Sequence, residues 1–110
     1  MLFSKVHSAN LKNPNYLSEL YACKFDKCLL SIDISCLRTD SQILIQITIA
    51  HNSNDFLFND TIHKFISSVI DNLQKKNPDF WDQVEKCIWY YNVVKLEQFP
   101  LEIMQRLVLL

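Results

Sequence analysis

Glycine is absent from all 110 residues of this chain. At the average usage of about 7%, roughly eight would be present. Glycine lets a backbone take positive φ and lets a phosphate approach the main chain closely. Its absence excludes a Gly-rich phosphate loop, a dinucleotide fingerprint and a nucleophile elbow of the usual sequence type. Turns here must rest on Asn, Asp and Pro. Other residues are scarce as well: three Ala, two Arg and three Pro, against eleven Ile, nine Asn, nine Lys, seven Phe and four Tyr. The scarce types have G/C-rich codons and the abundant ones A/T-rich codons, which points to an AT-rich genome.

Charge of one sign is also lacking. Eleven basic and twelve acidic residues leave a formal net charge of −1, so no global field draws in nucleic acid or an anionic membrane. Long apolar runs are missing. Near the C-terminus the longest is Leu107 to Leu110, far short of the roughly 20 residues that span a bilayer. Met1 to His7 has neither the hydrophobic stretch nor the small-residue cleavage site of a signal peptide. The expected compartment is cytosol or nucleus, with no membrane attachment.

In such a compartment the four cysteines, Cys23, Cys28, Cys36 and Cys87, are expected as free thiols. Cys23-x4-Cys28-x7-Cys36 lacks the paired C-x2-C knuckles of a zinc site. Cys28 and Cys36 share parity with Leu30, Ile32 and Ile34, which puts them on a core face. No metal and no cofactor is expected.

A content of 49% hydrophobic and 21% charged residues suits one folded domain over 1–110. Residues 1–15, with Asn13-Pro14-Asn15, read as a flexible or irregular N-terminal segment. Tyr16 to Phe25 fits a short helix or an irregular strand. Leu30, Ile32, Ile34 and Cys36 alternate with Ser31, Asp33 and Ser35, which predicts a half-buried strand. Ile43, Ile45, Ile47 and Ile49 predict a second, β-branched strand, joined to the first by an antiparallel hairpin and open at a sheet edge. His51 to Asp55 marks a loop, and Phe56-Leu57-Phe58 is a third short strand or a lead-in. Asn59, Asp60 and Thr61 are N-cap candidates for a helix carrying Ile62, Phe65, Ile66, Val69, Ile70 and Leu73 on one face. Phe58 and Phe65 are placed for a hydrophobic staple, Lys75 and Lys76 complement the helix dipole, and Asn77 caps the end.

Pro78 is expected to open a second helix running to Tyr91, with Phe80, Trp81, Val84, Cys87, Ile88 and Tyr91 on its apolar stripe. Val93 to Phe99 is a connector or short strand. Pro100 opens a last helix with Leu101, Met104, Leu107 and Val108 on one face. The predicted fold class is α+β: an antiparallel hairpin or small meander in the N-terminal half, then two or three packed helices.

Catalytic chemistry has little support. His51 lies in the polar loop and is the most available of the three histidines, but nothing pairs it, His7 or His63 with Cys87 or a serine. Asp33 reads as a solvated strand residue. Asp79, Asp82 and Glu85 suit a helix start. A helix–turn–helix reading of the Asn77-Pro78 turn would set those carboxylates against phosphate, and stacking of bases on Trp89, Tyr90 and Tyr91 lacks a basic cluster around them, so nucleic-acid binding by either route is an alternative but not the favoured one; an enzyme with an unrecognised site is a second alternative. The favoured expectation is a non-catalytic interaction module: a small subunit, adaptor or assembly factor binding another protein as a hetero- or homo-oligomer. Its expected contact residues are Trp81, Trp89 and Tyr90, aromatic surface beyond what one helix face hides, and Leu107, Leu109 and Leu110 of the apolar C-terminal run.

Overall fold

The computed structural model describes residues 2–9, 13–25 and 27–108. Its frame is a five-stranded sheet in the order β1-β2-β3-β4-β5. Strands β1 (Ser4–Ala9), β2 (Tyr16–Phe25), β3 (Cys28–Arg38) and β4 (Gln42–His51) form an antiparallel meander. Helix α1 (Asp60–Lys76) and the single turn α2 (Pro78–Trp81) then carry the chain back to β5 (Lys86–Lys95), which pairs parallel to β4. Parallel neighbours need a long crossover, and α1 with its flanking segments supplies it. Helix α3 (Leu101–Val108) follows.

The alternation expected for β3 and β4 sets the core. Ile32, Ile34, Cys36, Ile43, Ile45, Ile47 and Ile49 are all fully buried on one face. Against them α1 sets Ile62, Ile66, Val69, Ile70 and Leu73, and burying each contributes about 1.5–3 kcal/mol. Of the three cap candidates Asn59 is the N-cap, its side chain accepting from the Ile62 N–H at 3.1 Å. At the other end the Leu73 carbonyl accepts from the Asn77 N–H (3.0 Å), Asn77 Nδ2 (3.0 Å) and Trp81 Nε1 (3.3 Å). Asn77 does this at φ −130°, so the helix ends without the left-handed residue that glycine usually provides.

The opposite sheet face is covered at one end by α3. Phe99, Ile103 and Leu107 pack on Ala22 and Ala50, with Val6, Leu20, Leu29 and Leu96 around them. This second covering explains why β2 shows no clean alternation: Leu17 and Cys23 are buried on one side and Ala22 on the other.

Several expectations are corrected. The helix expected from Pro78 to Tyr91 is a four-residue turn followed by a ten-residue strand. The two-helix geometry of a helix–turn–helix is therefore not formed. The Ile43–Ile49 strand is interior, flanked by β3 and β5, and is not at an edge. Part of the irregular N-terminal segment is strand β1, whose Lys5 Nζ sits 2.8 Å from Glu19 Oε1. Phe56 to Phe58 is the lead-in to α1 and not a third strand. The partner expected for Phe58 is different: Phe58 lies edge-on to His63 and Tyr91, while Phe65 stacks on Phe3. In α3 the buried residues are Ile103 and Leu107, with Leu101 and Met104 exposed.

Candidate interaction edge

Strand β5 is the open border of the sheet, and its sequence Lys-Cys-Ile-Trp-Tyr-Tyr-Asn-Val-Val-Lys is apolar through the middle. Aromatic and β-branched residues favour an extended chain on a pleated surface, and the ladder with β4 runs without a register break from Lys86 to Lys95. Among the described residues only its inner edge is paired. Leu96 N–H donates to the His51 carbonyl at 2.7 Å. Alternate residues of a strand turn their N–H and C=O groups to opposite neighbours. Val94, Asn92, Tyr90 and Ile88 therefore face β4, while Val93, Tyr91, Trp89 and Cys87 direct their main-chain donors and acceptors outward.

The side chains at this border are large and exposed: Trp89 by 44%, Tyr90 by 56%, Tyr91 by 47% and Val93 by 49%. On the α1 side Trp89 and Tyr91 stand parallel, their rings 6.5 Å apart and 12° from coplanar. Phe58 meets Tyr91 edge-on at 6.1 Å. Partial burial raises the Tyr91 phenol above its ordinary range, so this hydroxyl is a neutral hydrogen-bonding group at physiological pH. Tyr90 stands on the opposite face.

The other border is built differently. β1 has six residues, a register shift between Lys5 and His7, and an exposed, mostly polar surface. Shortness, a bulge and an edge lysine are the usual protections of a strand border. β5 carries lysines only at its two ends and has neither a bulge nor proline.

The contact residues expected from sequence divide into three groups. Trp89 and Tyr90 come together on β5, on opposite faces of one edge. Trp81 is half-buried in α2, edge-on to Phe80 and bonded to Leu73, and Leu107 is buried on α3 among Ala22, Ala50, Phe99 and Ile103. Leu109 and Leu110 lie outside the described residues. Tyr91 and Val93 belong to the same border; the β-branched and aromatic run from Cys87 to Val94 was the signal for them.

Of the four cysteines, His51 and Asp33, only Cys87 lies on this border. All four cysteines are free. Cys23 and Cys36 are buried, Cys28 is half-buried and Cys87 is exposed. Burial pushes the Cys36 thiol up to about 12, which holds it protonated and unreactive. His51, expected in an open loop, is the buried last residue of β4 and stacks on Phe56 at 4.3 Å. It lines a cavity of about 260 Å³ with Cys28, Leu30, Phe56 and Ile62. Asp33, expected to be solvated, has a buried Oδ1 without a hydrogen-bond partner. Burial raises its carboxyl, with Ser35, His7 and Ser18 pulling the other way.

Compared with known proteins, the chain matches no family model, no curated sequence and no solved structure. Among the described residues, no helix is long and apolar enough to cross a membrane.

Proposed function

We propose that this chain is a non-catalytic interaction module, a small subunit or adaptor that binds another protein chain by adding a strand at β5. One observation carries the reading: a ten-residue apolar strand whose outer edge is unpaired among the described residues, with four large side chains about half exposed. Strand addition gains affinity from main-chain hydrogen bonds and specificity from alternate side chains. β5 offers both, with Trp89, Tyr91 and Val93 on one face and Tyr90 on the other. Large exposed apolar patches on folded chains mark interaction sites more often than they mark catalytic ones.

The test is a paired comparison of the natural chain with Trp89→Asp and Tyr91→Pro. Asp sets a charge in the apolar stripe, and Pro removes one outward N–H. A protein that co-purifies with the natural chain should be lost from both variants while the circular dichroism of Trp89→Asp stays unchanged. Retention of that protein by both variants overturns the reading.

A further inference from the structure

We infer that the cavity of about 260 Å³ beside His51 binds a small neutral aromatic molecule, of one or two rings, that carries a single N–H or O–H donor. The site is distinct from the outer edge of β5, and neither reading depends on the other.

The cavity lies where three segments meet. Phe25 and Cys28 come from the turn between β2 and β3, His51 ends β4, and Phe56, Leu57 and Ile62 belong to the approach and first turn of α1. Burial gives it a depth. Leu30, His51 and Ile62 are buried and form its floor, while Phe25 (57% exposed) and Leu57 (79%) stand at its mouth. His51 continues the series Ile45, Ile47 and Ile49, so the pleat turns it to the α1 side, opposite Leu30 of β3. The loop over the cavity is tied down on both sides. Asn52 Oδ1 accepts from the Leu29 N–H at 2.7 Å, and Asn54 Oδ1 accepts from the Lys95 ammonium. A pocket already formed in the free chain costs little ordering on binding.

Chemistry then selects the ligand. Most of the lining is apolar, but His51 Nδ1 at the floor is buried and makes no hydrogen bond. A buried nitrogen left unpaired costs free energy that a ligand donor recovers. Phe56 stacks on the imidazole at 4.3 Å, 16° from coplanar. The bonding direction of Nδ1 lies in the ring plane, so that stack does not block it. Nearby polar atoms are already engaged: Asn59 Oδ1 caps α1 at the Ile62 N–H, and Ser53 Oγ accepts from the Asp55 N–H. A water here would find too few of the two to four partners that hold buried water. A metal ion has no ligand set, because among the described residues no group of three or more His, Cys, Asp or Glu side chains is placed to hold one. Asp55, exposed on the lining, opposes an anionic ligand. What fits is an apolar body with one donor. A dry cavity of about 150 Å³ holds benzene, so this one has room for two fused rings.

Indole, with indene as its counterpart lacking the N–H, tests this on the full chain. Indole should bind with a Kd of about 1 mM or tighter and shift the His51 Nδ1 resonance of nitrogen-labelled protein. Indene should bind about fivefold more weakly. In His51→Phe, which keeps an aromatic ring against Phe56, the two should bind alike. Alkylation by N-ethylmaleimide, mapped peptide by peptide, gives a second reading on the unaltered chain. At about 5 mM indole, alkylation of half-buried Cys28 should slow about fivefold, and that of exposed Cys87 on β5 should not change. No binding of indole at that concentration overturns the inference. So do equal affinities for indole and indene in the natural chain, or equal slowing at Cys28 and Cys87.

Discussion

Arg38 Nη2 donates to the main-chain carbonyl of Asp82 at 2.9 Å. The same guanidinium donates through Nη1 to the carbonyl of Phe80 at 3.0 Å and to that of Asp79. One side chain at the end of β3 thus collects three carbonyls at the C-terminal end of α2, where helical carbonyls lack intrahelical partners. It holds the turn that delivers the chain to β5. A fork of fixed donors does this better than a lysine ammonium.

Arg38→Ala should lower stability by roughly 1.5–3 kcal/mol, the range for hydrogen bonds to a charged group. Arg38→Lys should recover less than half of that loss. Urea unfolding of the three proteins checks this, and a lysine variant as stable as the natural chain would contradict it. Hydrogen exchange should quicken first at the start of β5.

Ile49 and Val93 are neighbours in the parallel ladder on the same face, yet Ile49 is fully buried and Val93 is 49% exposed. Ile49→Ala should cost about 2–5 kcal/mol, since it opens a cavity under α1. Val93→Ala should stay within about 0.5 kcal/mol in the isolated chain. Thermal or urea midpoints separate the two. A costly Val93→Ala in the monomer would show β5 to be core and would remove its role as an open border.

That contrast also shows where the sequence is legible. β3 and β4 read plainly because their isoleucines alternate against polar residues, and α1 because its apolar residues recur every three or four positions. β5 did not, because Phe80, Trp81, Val84, Cys87, Ile88 and Tyr91 also satisfy a helical spacing. The competing signal was composition: Cys87 to Val94 is nearly all β-branched or aromatic, and such enrichment decides short apolar runs toward strand. The two expected contact residues that share the border, Trp89 and Tyr90, were picked out for their apolar excess alone. Their true relation, opposite faces of one edge, follows only from the pleat.

Asp33 supplies a pH test. Its carboxyl is raised by burial, so the folded state holds the proton more tightly than the unfolded state does. Such a group contributes stability that is full below the ordinary carboxylate range and is lost as pH climbs through its raised value. Asp33→Asn removes the charge that burial opposes. The variant's advantage over the natural chain should be smallest at low pH, widen as pH climbs from the ordinary carboxylate range to that raised value, and level off above it. Urea midpoints measured across the acid range check this, and parallel curves for the two proteins would contradict it.

Gln83 carries the one positive φ among the described residues, +59°, in the bend between α2 and β5. An L-residue held there pays about 1–2 kcal/mol in Cβ crowding, and glycine would pay none. Gln83→Gly should therefore stabilise the fold, by about 0.5–1 kcal/mol once the added freedom of the unfolded chain is subtracted. Gln83→Val should destabilise it, since a β-branched side chain suits this region least. Equilibrium unfolding of the two variants decides the point, and a destabilising glycine would mean that the Gln83 side chain makes a compensating contact. The expected sign makes the missing glycine costly at one identifiable bend, as a mutational bias toward A/T-rich codons would leave it.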